Sequence, residues 1–204
     1  MSSLVLVRHA QSAPRPDLAE EAFPLSEKGR AQARDLAPVL AELGVEALAA
    51  SPYQRAIDTL RPFADRAGLT IAVDHDLRER SLGAWLEDIE VVHETMRRMH
   101  REPDFAPEGG ETSRAVLARF EAALRRVVDA NPGRTLAVGS HGGVISHFLA
   151  ARGPALPFEF WRQIRNPHLF VFDTAAEGWP WVGERTLDGF SLRLLAADAH
   201  KSLS

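Results

Sequence analysis

Three short segments of this sequence carry residues suited to holding an anion. Arg8-His9 follows the apolar run Leu4-Val5-Leu6-Val7, Ser51-Pro52 follows the run Val45 to Ala50, and Ser140-His141-Gly142-Gly143 follows Thr135 to Val138. Guanidinium forks match phosphate oxygens bidentately, and an imidazole takes or gives a proton near neutral pH. Two glycines at the start of a helix leave its first N–H groups able to face negative charge. The chemistry that fits is the binding and transformation of an anion, with phosphate the best match. Singly the pieces carry little weight. With 22 Arg and 8 His in 204 residues, chance supplies about one Arg-His dipeptide, so the combination matters rather than any one motif.

Each segment lies where a strand ends. The apolar, β-branched run at Leu4–Val7 reads as a buried strand. A Pro-rich acidic stretch from Ala13 to Pro24 reads as a loop, after which Ser26 can cap a helix with Ala33, Leu36, Leu40 and Leu43 on its apolar face and Gly44 as its stop. Further strands are expected at Val45–Ala50, Thr70–Val73, Thr135–Val138 and Leu169–Phe172, with a shorter one at Trp181-Val182. A second helix carries Ile57, Leu60, Ala64 and Ala67, and a third, over 112–129, carries Val116, Phe120, Leu124 and Val127. A fourth runs from Gly142 through Leu149. Pro38 and Pro62 are expected to kink the first two helices. Between 81 and 110, Val92, Met96 and Met99 keep helical spacing until Pro103, Pro107 and Gly109-Gly110 break it. Alternating strands and helices give an α/β protein with a largely parallel sheet covered on both faces, where ligands sit beyond the carboxyl ends of the strands. That rule puts the three segments on one rim.

Composition removes several classes. The chain has no cysteine, so disulfides, thiolate nucleophiles and cysteine-based metal centres are excluded. A net charge of -4 argues against a nucleic-acid partner. No run is apolar and long enough for a membrane span, and Met1–His9 does not read as a signal peptide, so a cytoplasmic location is expected. Lys occurs only at 28 and 201, so nearly all the basic residues are Arg. The tail from Ala197 to Ser204 is expected to fray.

In order, Leu6-Val7-Arg8-His9-Ala10-Gln11-Ser12, Pro24-Leu25-Ser26-Glu27-Lys28-Gly29-Arg30-Ala31-Gln32-Ala33, Ser51-Pro52-Tyr53-Gln54-Arg55-Ala56-Ile57-Asp58-Thr59, Leu77-Arg78-Glu79-Arg80-Ser81-Leu82-Gly83-Ala84-Trp85, Pro107-Glu108-Gly109-Gly110-Glu111-Thr112 and Ser140-His141-Gly142-Gly143 resemble the motif series of the histidine phosphatase superfamily, the phosphoglycerate mutase-like group. The resemblance implies a three-layer αβα sandwich with a mostly parallel central sheet, in a single domain over 1–204. It implies a nucleophilic His9 that forms a phosphohistidine. Arg8, Arg55 and His141, the last as a cation, would hold the phosphoryl oxygens, with Gly142 and Ser12 as further phosphate contacts. Glu79 would protonate the leaving oxygen and then activate water, one carboxyl serving both steps. No metal or other cofactor is expected, because the Arg/His cluster supplies the charge. Two positions depart from the family pattern. Ala10 stands where Gly is usual, and Arg15 stands where an Asn often touches phosphate, which makes Arg15 a candidate substitute.

Mutases of this group carry a longer insertion between the acid and the second histidine. Here Glu79 and His141 are only 62 positions apart, which favours a phosphatase acting on a small phosphomonoester, with 81–110 as a lid that sets specificity. A phosphoglycerate-type mutase and an inactive phosphate-binding regulator are the alternatives. Glu111 is expected to answer a helix dipole rather than reach the site, and Arg97, Arg98 and Arg101 to form a solvated face. The other histidines read as structural or exposed, with His168, after Asn166-Pro167, able to reach the rim. Trp85 reads as core or lid packing. Oligomeric state and the identity of the substrate do not follow from the sequence.

Overall fold

The computed structural model of the chain describes residues 2–83, 88–152, 160–187 and 189–191. Trp85, Leu86 and the tail 197–204 therefore lie outside the described residues. Strands β1 (Ser3–Arg8), β2 (Ala47–Ala50), β3 (Ile71–Val73), β4 (Leu136–Ser140), β5 (His168–Asp173), β6 (Trp181–Thr186) and β7 (Gly189–Ser191) form one sheet in the order β3-β2-β4-β1-β5-β6-β7. The first four are mutually parallel, and β5, β6 and β7 extend the sheet as antiparallel strands beyond β1. The parallel half carries the three segments singled out above.

The α-helices are α1 (Glu27–Glu42), α2 (Gln54–Ala67), α3 (Ile89–Arg101), α4 (Ser113–Asp129), α5 (Gly142–Arg152) and α6 (Phe160–Gln163), with short 3-10 turns at Glu20–Ala22 and His75–Leu77. Strand β1 explains the layering. Its alternate side chains point to opposite faces, so Leu4 and Leu6 join Phe120, Leu124, Ile145 and Phe148 of α4 and α5. Val5 and Val7 join Leu36, Leu40, Leu60 and Phe63 of α1 and α2. A strand buried on both faces must be apolar at every position, which is why Leu4–Val7 shows no polar alternation. The Ser26 hydroxyl caps α1 by accepting the Gly29 N–H at 2.9 Å. Gly68 closes α2 in the left-handed region at φ 66°, where a side chain would be strained. Pro38 and Pro62 lie inside α1 and α2, and both helices run on past them. The helical spacing of Met96 and Met99 is realised in α3, where both side chains are buried.

Candidate active site

Backbone register brings the rim together. Arg8 pairs with Ser140 and Ala50 with Gly139, so β1, β4 and β2 end at one level. The Ser51 N–H donates to the Gly139 carbonyl at 2.9 Å and the His9 N–H to the Ser140 carbonyl at 3.0 Å. His9, Ser51 and His141 are thereby delivered side by side.

His9 is 8% exposed, and its Nδ1 lies 2.7 Å from the Ala10 carbonyl. A carbonyl only accepts, so Nδ1 carries the proton and Nε2 keeps its lone pair. Burial first, then the Arg55 charge and the Arg8 charge, push the His9 pKa down to about 3 against the opposing Ala10 bond, so the ring is neutral near pH 7. Ala10 is fully buried beside Leu25 and Ala33, and its N–H donates to Thr59 Oγ1 of α2 at 2.9 Å. The methyl that departs from the family pattern thus fills a small apolar contact.

Arg8 donates through Nη1 to the Ile164 carbonyl, and its Nε is buried without a partner among the described residues. Burial and the Arg55 charge lower its pKa, against the opposing pull of Glu79. A Cβ at Gly142 would come within 3.0 Å of Arg8 Nε, so the guanidinium lies across the start of α5. Arg55 sits in the first turn of α2, 5% exposed, with its guanidinium over the Tyr53 ring. It donates to the Glu20 carbonyl at 2.8 Å and to Glu20 Oε1 at 2.7 Å. Burial, then Glu20 and Glu21, push the Tyr53 hydroxyl up to about 12.

His141 is fully buried, 5.3 Å from His9 between ring centroids. Burial, then His9, Arg55, Arg8 and Arg119, hold it well below the ordinary histidine value. Burial first and the surrounding cations after it both work against the cationic His141 expected above.

Glu79 occupies a place the sequence did not indicate. Its carboxyl group accepts the Gly143 and Val144 N–H groups at 2.8 Å each and the Arg80 N–H at 2.9 Å. Two first-turn N–H groups of α5, those of Gly143 and Val144, are thus taken up by Glu79. A Cβ at Gly143 would lie 2.6 Å from Glu79 Oε1, so this seat requires glycine. Arg119, absent from the sequence reading, holds the segment that carries Glu79, donating to the carbonyls of Asp76, Arg78 and Glu79 at 2.8, 3.0 and 3.1 Å. Glu111 accepts from Arg119, Arg78 and the Ser81 N–H. Burial would raise its pKa, but these partners outweigh burial and leave it lowered. Thr112, not Glu111, caps α4.

One expected contact, Arg15, is engaged with a neighbour in its own loop. Arg15 is 57% exposed at its side chain and grips Asp17 at 2.6 and 3.1 Å, since a loop arginine beside an aspartate finds its partner locally. Ser12 forms an isolated bridge with Leu25. The structure also offers His9 a support. Asn166 Nδ2 donates to the His9 carbonyl at 2.7 Å, and Gln32 links the Asn166 carbonyl at 2.5 Å to the Gln11 N–H at 3.0 Å. The Gln32 motif and the Asn166-Pro167 loop were the only sequence signals for it. His168 pairs with Arg8 across β5 and reaches this rim, stacked on Phe170. Arg97, Arg98 and Arg101 pair with Glu94 and Glu102 on the exposed side of α3. Among the described residues no group of His, Asp and Glu is arranged to hold a metal ion, and no helix is long and apolar enough to cross a membrane.

Residues 4–184 match the family model of the histidine phosphatase superfamily (branch 1). A bifunctional protein of Mycobacterium tuberculosis is 34% identical over 151 residues, which cover 68% of this chain and 40% of that protein, so the chain spans about two fifths of that relative. The glucosyl-3-phosphoglycerate phosphatase of the same organism is 33% identical over 167 residues, covering 72% of this chain and 74% of its own. A mycobacterial glucosyl-3-phosphoglycerate phosphatase solved with inorganic phosphate superposes with a TM-score of 0.70 at 27% identity, over 89% of this chain and 94% of that one.

Proposed function

This chain belongs to the histidine phosphatase superfamily, and on that premise we propose that it is a phosphatase, hydrolysing a small phosphomonoester through a phosphohistidine formed on His9. The observation that carries the reading is the Nδ1 bond of His9 to the Ala10 carbonyl, which leaves a neutral Nε2 lone pair among Arg8, Arg55 and His141. In the first step Nε2 attacks phosphorus in line, the P–O ester bond breaks, and Glu79 gives its proton to the leaving oxygen. In the second, Glu79 takes a proton from water as the water oxygen attacks phosphorus and the P–N bond breaks, releasing inorganic phosphate and neutral His9. Arg8 and Arg55 answer the charge on the equatorial oxygens, which is most of what phosphoryl transfer asks of a protein. Neither step is assigned to a metal or other cofactor. Segment 81–110 acts as the lid of a single domain, with α3 packed down by Met96 and Met99. The substrate is a small molecule rather than a nucleic acid or a membrane component.

The test is turnover of p-nitrophenyl phosphate in EDTA, followed by a ranked set of phosphomonoesters. Sugar-linked phosphoglycerates belong in that set because two similar proteins bear such names. His9→Ala should abolish turnover, and the wild type should accumulate an acid-labile, base-stable phosphoenzyme. Turnover persisting in His9→Ala would remove His9 as nucleophile, and a rate that depends on added 2,3-bisphosphoglycerate would favour a mutase.

A further inference from the structure

The imidazole of His141 makes one hydrogen bond and lacks another. Its Nε2 lies 2.8 Å from Ser51 Oγ, while its Nδ1 is sealed from solvent with no partner among the described residues. Ser51 is itself fully buried, and its Oγ already accepts the Tyr53 N–H at 3.2 Å. The hydroxyl has one proton to give. Among the described residues its single acceptor is His141 Nε2.

Two proton arrangements are possible for a neutral ring. If Nε2–H donated to Ser51, the serine proton would be buried with no acceptor, and Nδ1 would present a bare lone pair to the phosphoryl group. Both faults carry the cost of an unmade buried hydrogen bond. If Ser51 donates to Nε2, the serine is satisfied on both sides and Nδ1 carries a proton. That N–H then has one thing left to meet, an acceptor entering beside His9, whose ring lies 5.3 Å away. The Tyr53 ring packs against His141 in a T-shaped contact with centroids 4.9 Å apart.

We propose that Ser51 is a positioning residue, whose hydroxyl donates to His141 Nε2 and so fixes the tautomer in which Nδ1–H points at the phosphoryl oxygen. His141 then acts as a neutral hydrogen-bond donor rather than a second cation. The assignment rests on the phosphatase reading for its purpose but not for its geometry. Neutrality also suits the neighbourhood, because Arg8 and Arg55 already supply positive charge and a third cation beside His9 would be repelled.

The experiment uses the full chain with 15N-labelled histidine. In the resting enzyme near pH 7, His141 should show a protonated Nδ1 and an unprotonated Nε2, assigned by comparison with His141→Asn. A protonated Nε2, or a doubly protonated ring, overturns the assignment. In Ser51→Ala the two nitrogens should move toward averaged shifts, and kcat/KM for p-nitrophenyl phosphate should fall 10- to 100-fold. Ser51→Thr, which keeps the hydroxyl, should restore both. A merely structural role for Ser51 would lower the rate without moving the proton, so an unchanged spectrum in Ser51→Ala also overturns the proposal. The spectra need no turnover, so failure of the phosphatase reading shows as absent activity with the tautomer intact.

Discussion

Gly143→Ala isolates the seat of Glu79. A methyl there would lie 2.6 Å from Glu79 Oε1 and 2.9 Å from Cδ and Oε2, well inside contact distance. What it meets is the end of a flexible side chain, so the carboxyl group swings away and the backbone stays. Alanine in place of glycine within a helix is worth about 1 kcal/mol in favour of the variant. Against this, the Gly143 and Val144 N–H bonds to the carboxyl are lost. Each such bond is worth about 0.5–1.5 kcal/mol net, because the displaced group and the opened helix end regain water. The net destabilisation should be at most about 2 kcal/mol, leaving a folded enzyme. Catalysis should suffer far more, since positioned acid–base groups contribute about 10²–10⁴-fold. Loss should be greatest on an alkyl phosphomonoester, whose leaving oxygen needs the proton. It should be smaller on p-nitrophenyl phosphate, whose leaving group departs as a weak base. The assay is kcat/KM for both substrates with Tm measured alongside. An alanine variant that melts normally and hydrolyses the alkyl ester at the wild-type rate would refute the placement of Glu79 as the acid.

Stability should depend steeply on pH through buried neutral histidines. His9 and His147 are pushed down to about 3, each chiefly by burial, and His141 lies well below its ordinary value. The unfolded chain takes up these protons near pH 6.5, so stability is full above that pH and is lost as pH falls toward 3, by up to about 1.4 kcal/mol per pH unit for each histidine. His147→Gln, outside the phosphate cluster, should flatten the fall in unfolding free energy between pH 6 and 5 by about one proton, and an unaltered slope would contradict its buried neutral state. Glu20→Ala removes one of the two holds on Arg55, a half-exposed ion pair worth about 0–1 kcal/mol, and should raise the inhibition constant of inorganic phosphate up to about fivefold. Tighter phosphate binding in that variant would mean Glu20 opposes the ligand instead. Arg15→Ala should leave kcat and KM unchanged, and a shift in either would return Arg15 to the site.

The sequence by itself determined the strands of the parallel half, because a doubly buried strand such as Leu4–Val7 has no choice but to be apolar. It also determined His9, Ser51 and His141 as neighbours on one rim, since residues that follow parallel strands are delivered to one edge. Helical periodicity located α4, and even α3 within the segment hardest to read. What the tertiary structure decided were the partners. Arg15 and Arg55 are alike as arginines in or beside motifs, yet one is exposed on Asp17 and the other is buried against Glu20 and Tyr53. Asn166 and Gln32 lie far apart in sequence, and only the packing of β5 against β1 makes them supports of His9. Protonation was decided there as well. Charge on an imidazole depends on how much water remains and which cations stand nearby, and neither quantity is written in the residue type. Pattern determines where a side chain is sent. Burial and neighbours in three dimensions determine what it is when it arrives.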